Sequence, residues 1–397
     1  MRPDIMQAKC AAIAAFMAIW TLAGAGVSSW RQLGGGAGVG GALHFADAGD
    51  GWLISNIQQA GPDETLVGYR TRDGGDTWDE LHILGFRESL TGRYSWVTGR
   101  GPFCAFRIGV AEAWVGGAEA VAHTVDGGAT WDITHLWPAL VFTRYPIGLA
   151  DRGALNVRGL HFHDSMSGMA LVAAESAKDG DTAGIAVLAT DDGGRAWAQW
   201  GTRAPDSPFP FLATRLRMAS STVGWMTHWR TGLLVTTDAG ATWRGTDYGV
   251  RRAHVAANGD VWATTEESAG DKRVYLAHSP DLGLTWEPAR LVADLPEEFA
   301  SHGALSSLKF APDGRGWAVG AFGVVLATVD GDTWTREQTP TDSRLLDVQY
   351  VDGVVYASGE GGGVLKRDAA SAAIDAVGKR PTTWAPTKAG GGRDGSR

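Results

Sequence analysis

Few residues in this 397-residue chain have the types and spacing that chemistry needs. His161-Phe162-His163-Asp164 comes nearest to a metal site, because alternate residues of a strand share a face and two imidazoles on one face can bind zinc. No further histidine cluster accompanies the pair, so no metal is expected. Adjacent Glu297 and Glu298 have the residue type of the carboxylate pairs that cleave glycosidic bonds, but neighbours in sequence need not face one cavity. Phe103-Cys104-Ala105-Phe106 places its cysteine in an apolar run, the setting of a buried thiol rather than a nucleophile. The stretch from Gly36 to Gly41 has the glycine spacing of a dinucleotide fingerprint. That motif needs a strand before it and a helix after it, whereas Leu43-His44-Phe45 reads as a strand, so the stretch is a linker. Neither a nucleophile elbow nor a P-loop occurs, and no cofactor is expected.

The residues that do recur are aspartates. Thr71-Arg72-Asp73-Gly74-Gly75-Asp76-Thr77-Trp78 returns as Thr124 to Trp131, Thr190 to Trp197, Thr236 to Trp243 and Ser279 to Trp286. A copy one residue shorter runs from Thr328 to Trp334. The aspartates are Asp73, Asp126, Asp192, Asp238, Asp281 and Asp330, spaced by 53, 66, 46, 43 and 49 residues, the length of a propeller blade. Their chemistry is local. A short carboxylate can accept hydrogen bonds from its own turn, and the glycine two positions on can take positive φ. Flanking hydroxyls can tie the arms of a hairpin, and the tryptophan offers a large apolar surface to a neighbouring sheet. These Asp-box turns are expected to be structural. Trp78-Asp79 and Trp131-Asp132 look like WD dipeptides, but the other four tryptophans lack the aspartate.

Ahead of each turn stands a second element, clearest as Gly51-Trp52, Ala113-Trp114, Gly224-Trp225 and Gly316-Trp317, and weaker at Gly168-Met169, Val261-Trp262 and Val355-Tyr356. Short apolar strands flank it, which gives four strands per unit and predicts an all-β propeller of radial four-stranded blades. There are seven such elements but six Asp-boxes. The last unit lacks its outer strand, and Trp30-Arg31-Gln32-Leu33 resembles Trp78-Asp79-Glu80-Leu81 with no Asp-box of its own. Pairing the N-terminal strand with the strand around Val364 to Lys366 would close seven blades into a ring and hide two sheet edges. The propeller is thus expected over residues 26–368. Residues 1–25 read as a signal peptide: Arg2 and Lys9, an apolar run from Ala11 to Leu22, then Ala23-Gly24-Ala25. That predicts export to the periplasm or the extracellular space, or to a lumen in a photosynthetic host. Cys104 would then stand alone, without a disulfide. Residues 369–397, rich in Ala, Gly and Pro, are expected to be a disordered tail.

The formal charge of −9 leaves no chain-wide basic footprint for nucleic acid. Binding is expected on the long connections between blades, on the rim opposite the Asp-boxes, because such loops vary freely. They carry Arg93, Tyr94, Trp137, Arg144, Tyr145, Arg203 and Phe209, along with Phe86, Phe142 and Phe211. Arg and aromatic side chains dominate protein interfaces, so the seven first named are the candidate partner-binding residues.

Gly316-Trp317-Ala318-Val319-Gly320 followed by Val324 to Trp334 resembles the Ycf48-like, or photosystem II assembly factor-like, branch of Asp-box (BNR) repeat proteins, and the resemblance covers residues 30–368. It implies an exported, non-enzymatic, seven-bladed scaffold that binds a protein partner during assembly of an envelope or membrane complex. The chain is expected to act as a monomer. Sialidases share the Asp-box but carry an Arg-Ile-Pro segment before the first one. Here Phe106-Arg107-Ile108-Gly109 lacks the proline and follows the first box. A sialidase-like glycoside hydrolase, or a glycan-binding propeller, is therefore the alternative.

Overall fold

The computed structural model describes residues 30–34, 41–59, 64–84, 104–117, 120–136, 152–176, 182–200, 213–218, 220–228, 232–245, 250–256, 259–265, 273–294 and 305–368. The expected signal peptide and tail lie outside them. After β1 (Arg31–Leu33), the strands fall into successive antiparallel groups of four. Blade one is β2 (Ala42–Phe45), β3 (Gly51–Gln59), β4 (Glu64–Thr71) and β5 (Asp79–Leu84). Blade two is β6 (Cys104–Ile108), β7 (Glu112–Gly116), β8 (Ala120–Thr124) and β9 (Asp132–His135). Blade three is β10 (Arg152–Phe162), β11 (Gly168–Ser176), β12 (Thr182–Thr190) and β13 (Ala198–Gln199). Blade four is β14 (Ala213–Met218), β15 (Gly224–His228), β16 (Gly232–Thr236) and β17 (Arg244–Gly245). Blade five is β18 (Val250–Val255), β19 (Val261–Thr265), β20 (Arg273–Ser279) and β21 (Arg290–Asp294). Blade six is β22 (Leu305–Phe310), β23 (Gly316–Gly320), β24 (Val325–Thr328) and β25 (Trp334–Glu337). Blade seven is β26 (Leu345–Val351), β27 (Val354–Gly359) and β28 (Val364–Asp368), completed by β1. The chain is a seven-bladed all-β propeller.

Closure follows the expected pairing of the N-terminal strand with the strand around Val364 to Lys366, and the register puts Arg31 opposite Lys366, Gln32 opposite Leu365 and Leu33 opposite Val364. Trp30 is buried and its indole N–H donates to Glu337 Oε2 at 2.7 Å, pinning β1 to blade six as well as blade seven. Glu337 also pairs with buried Arg367. Across the seam to blade one, Ser358 Oγ donates to Gly41 O (2.5 Å), Tyr356 Oη to Ala48 O (2.8 Å) and Lys366 Nζ to Gly74 O (3.2 Å).

The core is divided among the interfaces between blades. Trp52, Ile54 and Ile83 of blade one pack on Ala105, Val115 and Ala122 of blade two. Trp114 and Val121 of blade two pack on Leu160, Phe162 and Ala170 of blade three, and the pattern continues round to Leu33 and Tyr356 against Leu43, Phe45 and Leu53. Each sheet is apolar on both faces because each face meets a neighbour.

The Gly-Trp element has a steric cause. The last residue of a blade's first strand folds its side chain over the first residue of the second strand. A Cβ at Gly51 would lie 2.3 Å from the Phe45 ring, at Gly168 2.4 Å from Phe162 and at Gly316 2.6 Å from Phe310. In blade five the inner residue is the smaller Val255, and Val261 takes the place of the glycine.

Candidate functional site: the axial channel

An antiparallel four-stranded blade sends its first-to-second and third-to-fourth turns to one rim. The second-to-third turns and the blade-to-blade connections go to the other. The first strands β2, β6, β10, β14, β18, β22 and β26 face the axis. They carry Arg107, Arg152, Arg158, Arg215, Arg217, Arg251, Arg252 and Lys309 but a single carboxylate, Asp347. Of the described basic side chains, Arg107 turns to Asp50, while Arg217 and Lys309 lie near enough to act on one another.

Strand register builds a ring of side chains there. His44 lies opposite Trp52, Phe106 opposite Trp114, His161 opposite Met169 and Arg217 opposite Trp225. His254 lies opposite Trp262, Lys309 opposite Trp317 and Gln349 opposite Tyr356. All seven are half-buried, while most of their strand neighbours are buried. Neighbouring members touch: the Phe106 and His161 rings meet edge to face at 4.7 Å. Gln349 spans the seam, accepting from Phe45 N (2.7 Å) and donating to Phe45 O (3.0 Å).

The ring is polarised. His161, Arg217, His254 and Lys309 occupy four consecutive blades. Arg217 acts electrostatically on Cys104 of β6, His161 of β10, His254 of β18 and Lys309 of β22. Burial pushes both His161 and His254 down to about 3, with neighbouring cations adding to it, so both imidazoles are neutral at physiological pH. Burial, with Arg217, brings Lys309 down to about 8, against the pull of Asp347. Asp347 itself accepts from Ser307 Oγ at 2.7 Å and Leu43 N at 3.2 Å. Bulges in β10 and β18 leave Arg158 and Arg251 between paired backbone positions.

The sequence shows this ring only in retrospect. Each member stands eight residues before the second-strand Trp or Met, and seven before Tyr356 in blade seven. Because its residue types differ from blade to blade, no repeated motif marks it.

The repeated aspartates sit in the turns between third and fourth strands. Asp126 Oδ1 accepts from Ala129 N and Thr130 N at 2.9 Å and from Thr124 Oγ1 at 2.8 Å, and its Oδ2 from Thr130 Oγ1 at 2.6 Å. Equivalent bonds form at Asp73, Asp238 and Asp281. At Asp192 the residue at the threonine position is Ala196, which donates through its backbone only (2.9 Å). Asp330 makes the same kind of turn with one residue fewer, receiving Asp332 N and Thr333 N. Hydrogen bonds from Thr77 and Thr130 hold the Asp73 and Asp126 carboxyls well below the usual carboxylate range. Two successive positions are left-handed, Gly127 and Gly128 at φ 73° and 96°, with Ala239 and Leu282 filling the first position in blades four and five. Five of the six turns, those of blades one to five, are tied to their blade's first-to-second turn, as Gly127 N to Ala111 O at 2.7 Å and Gly193 N to Met166 O at 2.8 Å.

The other singled-out residues separate. His161 and His163 lie 5.1 Å apart, ring to ring, but among the described residues no group of three or more His, Cys, Asp and Glu gathers around them. Cys104 Sγ reaches Val157 O at 3.5 Å, and burial pushes the thiol up to about 12, the opposite of nucleophilic activation. Arg107 is held inside the protein. It pairs with Asp50, donates to His44 O at 3.1 Å and lies 4.5 Å over the Trp52 ring. Asp50 is shared with Arg70 at 2.6 Å, so one carboxylate clamps blades one and two. Glu297 and Glu298 lie outside the described residues, as do Arg93, Tyr94, Trp137, Arg144, Tyr145, Arg203 and Phe209.

No family model matches the chain, and no curated protein matches it by sequence. Among solved structures it is similar to Ycf48 bound to a D1 peptide, at 18% identity and a TM-score of 0.57 over 86% of this chain and 97% of that one. It is similar also to Ycf48 from Cyanidioschyzon merolae, at 17% identity and 0.54 over 85% and 98%. The GH74 xyloglucanase of Xanthomonas campestris is matched at 15% identity and 0.50, over 86% of this chain and 53% of that one. At such identities the likeness lies in the fold, and propellers that bind a peptide and propellers that cleave a glycan both share it.

Proposed function

We propose that this chain is an exported, non-enzymatic, protein-binding scaffold, a Ycf48-like assembly or stability factor for an envelope or membrane complex. The supporting observation is the end-to-end likeness to Ycf48 bound to a D1 peptide, 97% of which this chain spans. Two features of the chain agree with it. Arg107, the arginine a sialidase reading would use, is occupied by Asp50 and backbone carbonyls. The repeated turns, read as Asp-boxes, direct their carboxylates to their own backbone and hydroxyl groups. The partner surface is assigned to the opposite rim, on the connections bearing Arg93, Tyr94, Trp137, Arg144, Tyr145, Arg203 and Phe209. Residues 1–25 would direct export to the periplasm, the extracellular space or a lumen. A monomer suffices for this role, since the ring is complete within one chain.

The likeness to a xyloglucanase favours a second reading, a glycoside hydrolase or glycan-binding propeller. One experiment separates the two. Replacing Arg144 and Tyr145 together with alanine should weaken capture of the envelope partner about tenfold or more, as loss of interface anchors does, at an unchanged melting temperature. The same protein should release nothing from fluorogenic sialoside or xyloglucan substrates. Measurable turnover that Arg144→Ala abolishes would replace the scaffold with the hydrolase.

A further inference from the structure

We propose that the segment beyond β28, residues 379–388 with Trp384 at its centre, docks on an apolar patch of Val110, Val125 and Met166 where blades two and three meet. The patch lies on the rim of the repeated turns, opposite the partner surface proposed above, and does not depend on that reading.

Three turn tips assemble the patch. Val110 stands in the first-to-second turn of blade two, Val125 in its third-to-fourth turn and Met166 in the first-to-second turn of blade three. Gly127 N donates to Ala111 O at 2.7 Å and ties the first two tips. Glu112, set across from Val125 by the pairing of Ala113 with Thr124, accepts from Ser165 Oγ at 2.5 Å and joins the third. The three residues are 45%, 64% and 49% exposed. Exposed apolar residues scattered singly are ordinary, but these are gathered at one junction. The turn itself does not demand them. The position of Val125 holds Arg72 in blade one, Asp191 in blade three and Thr237 in blade four.

Two observations choose the occupant. The patch is framed by exposed Asp126 and Asp164, and its three turns contain no lysine or arginine. Hydrogen bonds from Thr130 to Asp126 and from Ser167 N to Asp164 hold both carboxyls below the usual carboxylate range, so both are ionised at neutral pH. An apolar patch in an acidic frame fits an aromatic side chain with cations on either side, whereas a second copy presenting the same patch would bring like charges together. The chain delivers such a segment to this rim. β28 ends at Asp368 on the side of the repeated turns, just after Lys366 donates to Gly74 O of blade one. Outside the described residues the sequence then runs Lys379-Arg380-Pro381-Thr382-Thr383-Trp384-Ala385-Pro386-Thr387-Lys388. From Asp368 to Trp384 the chain can span about 50 Å, against about 30 Å for three blades packed about 10 Å apart. Weak contacts suffice, because the tether raises the effective concentration of the segment.

The probe is a fluorescently labelled peptide of residues 377–390, titrated by anisotropy into the full chain. Trp384→Ala vacates the patch, so the peptide should bind that variant saturably, one to one, and less tightly as salt rises. In the unaltered protein its own segment competes, and the peptide should bind about tenfold or more weaker. Val125→Arg with Met166→Arg, added to Trp384→Ala, should abolish binding at an unchanged melting temperature, since blade one already carries Arg72 at the first of these positions. Carbodiimide coupling of Lys379 or Lys388 to Asp126 or Asp164, in a mixture of isotopically labelled and unlabelled full chains, should join residues of the same chain only. Equal peptide binding by the unaltered and Trp384→Ala proteins would overturn the proposal, as would binding that survives the two arginines. Absence of binding, or coupling between labelled and unlabelled chains, would overturn it too.

Discussion

The leading Ser or Thr of each turn, rather than the aspartate, makes its buried hydrogen bond. Ser279 is fully buried, and its Oγ accepts from Gly283 N at 2.8 Å while donating to Asp281 Oδ1 at 2.9 Å. Asp281 receives Thr285 N and Oγ1 at the solvent-exposed end of the same turn. Water can replace the aspartate's bonds but cannot reach Gly283 N, so the two residues should respond differently to truncation. Ser279→Ala is expected to cost about 1–3 kcal/mol, the penalty of a buried donor left unpaired. Asp281→Ala should lower the melting temperature less, and denaturant midpoints of the two variants measured side by side check the order. The aspartate is the conspicuous residue in the sequence because it alternates with glycines, whereas burial of the hydroxyl depends on the ring around it.

Within an element, the sequence shows what is periodic and hides what is not. The Gly-Trp strands and the turns recur with fixed residue types, so blade number, strand order and the pairing of β1 with β28 were all legible. The channel ring was not, because His44, Phe106, His161, Arg217, His254, Lys309 and Gln349 share a position but not a chemistry. Their common address emerges only when seven first strands are brought to one axis. Likewise the use of Arg107 by Asp50 joins blades one and two across 57 residues and has no local signature. The glycine of the Gly-Trp strand, in contrast, is a local demand with a measurable consequence. A methyl at Gly316 would lie 2.6 Å from the Phe310 ring, which also packs edge-on to Trp334 at 5.8 Å. Gly316→Ala should therefore destabilise by about 1–3 kcal/mol through overpacking, read as a shifted urea midpoint at unchanged slope. Pairing it with Phe310→Leu should recover part of the loss if the clash is the cause.

At the scale of the ring, seven interfaces share the core, so no blade is stable by its own contacts alone. The seam is where this matters most. Trp30 is buried among Trp317, Val348 and Leu365 and donates to Glu337. Trp30→Ala is expected to cost about 3–5 kcal/mol, and deleting residues 26–34 to lower the melting transition of the whole propeller rather than of one blade. A truncated protein that melts like the undeleted one would show that β1 is dispensable. The seam also sets a clock. The indole of Trp30 and its acceptor on Glu337 are separated by 307 residues, so the strand that emerges first is the last to be used. Until β28 exists, β1 and the open edges of the nascent blades are unpaired, and the loop to be closed is nearly the whole chain. Such closure is slow, since long-range pairing must surrender chain entropy before it is rewarded. Refolding should thus show blades forming early, with the Trp30 environment acquiring its native fluorescence in the final phase. In that interval the protein is a chain of exposed strand edges, which makes its folding, more than its folded state, the step vulnerable to aggregation.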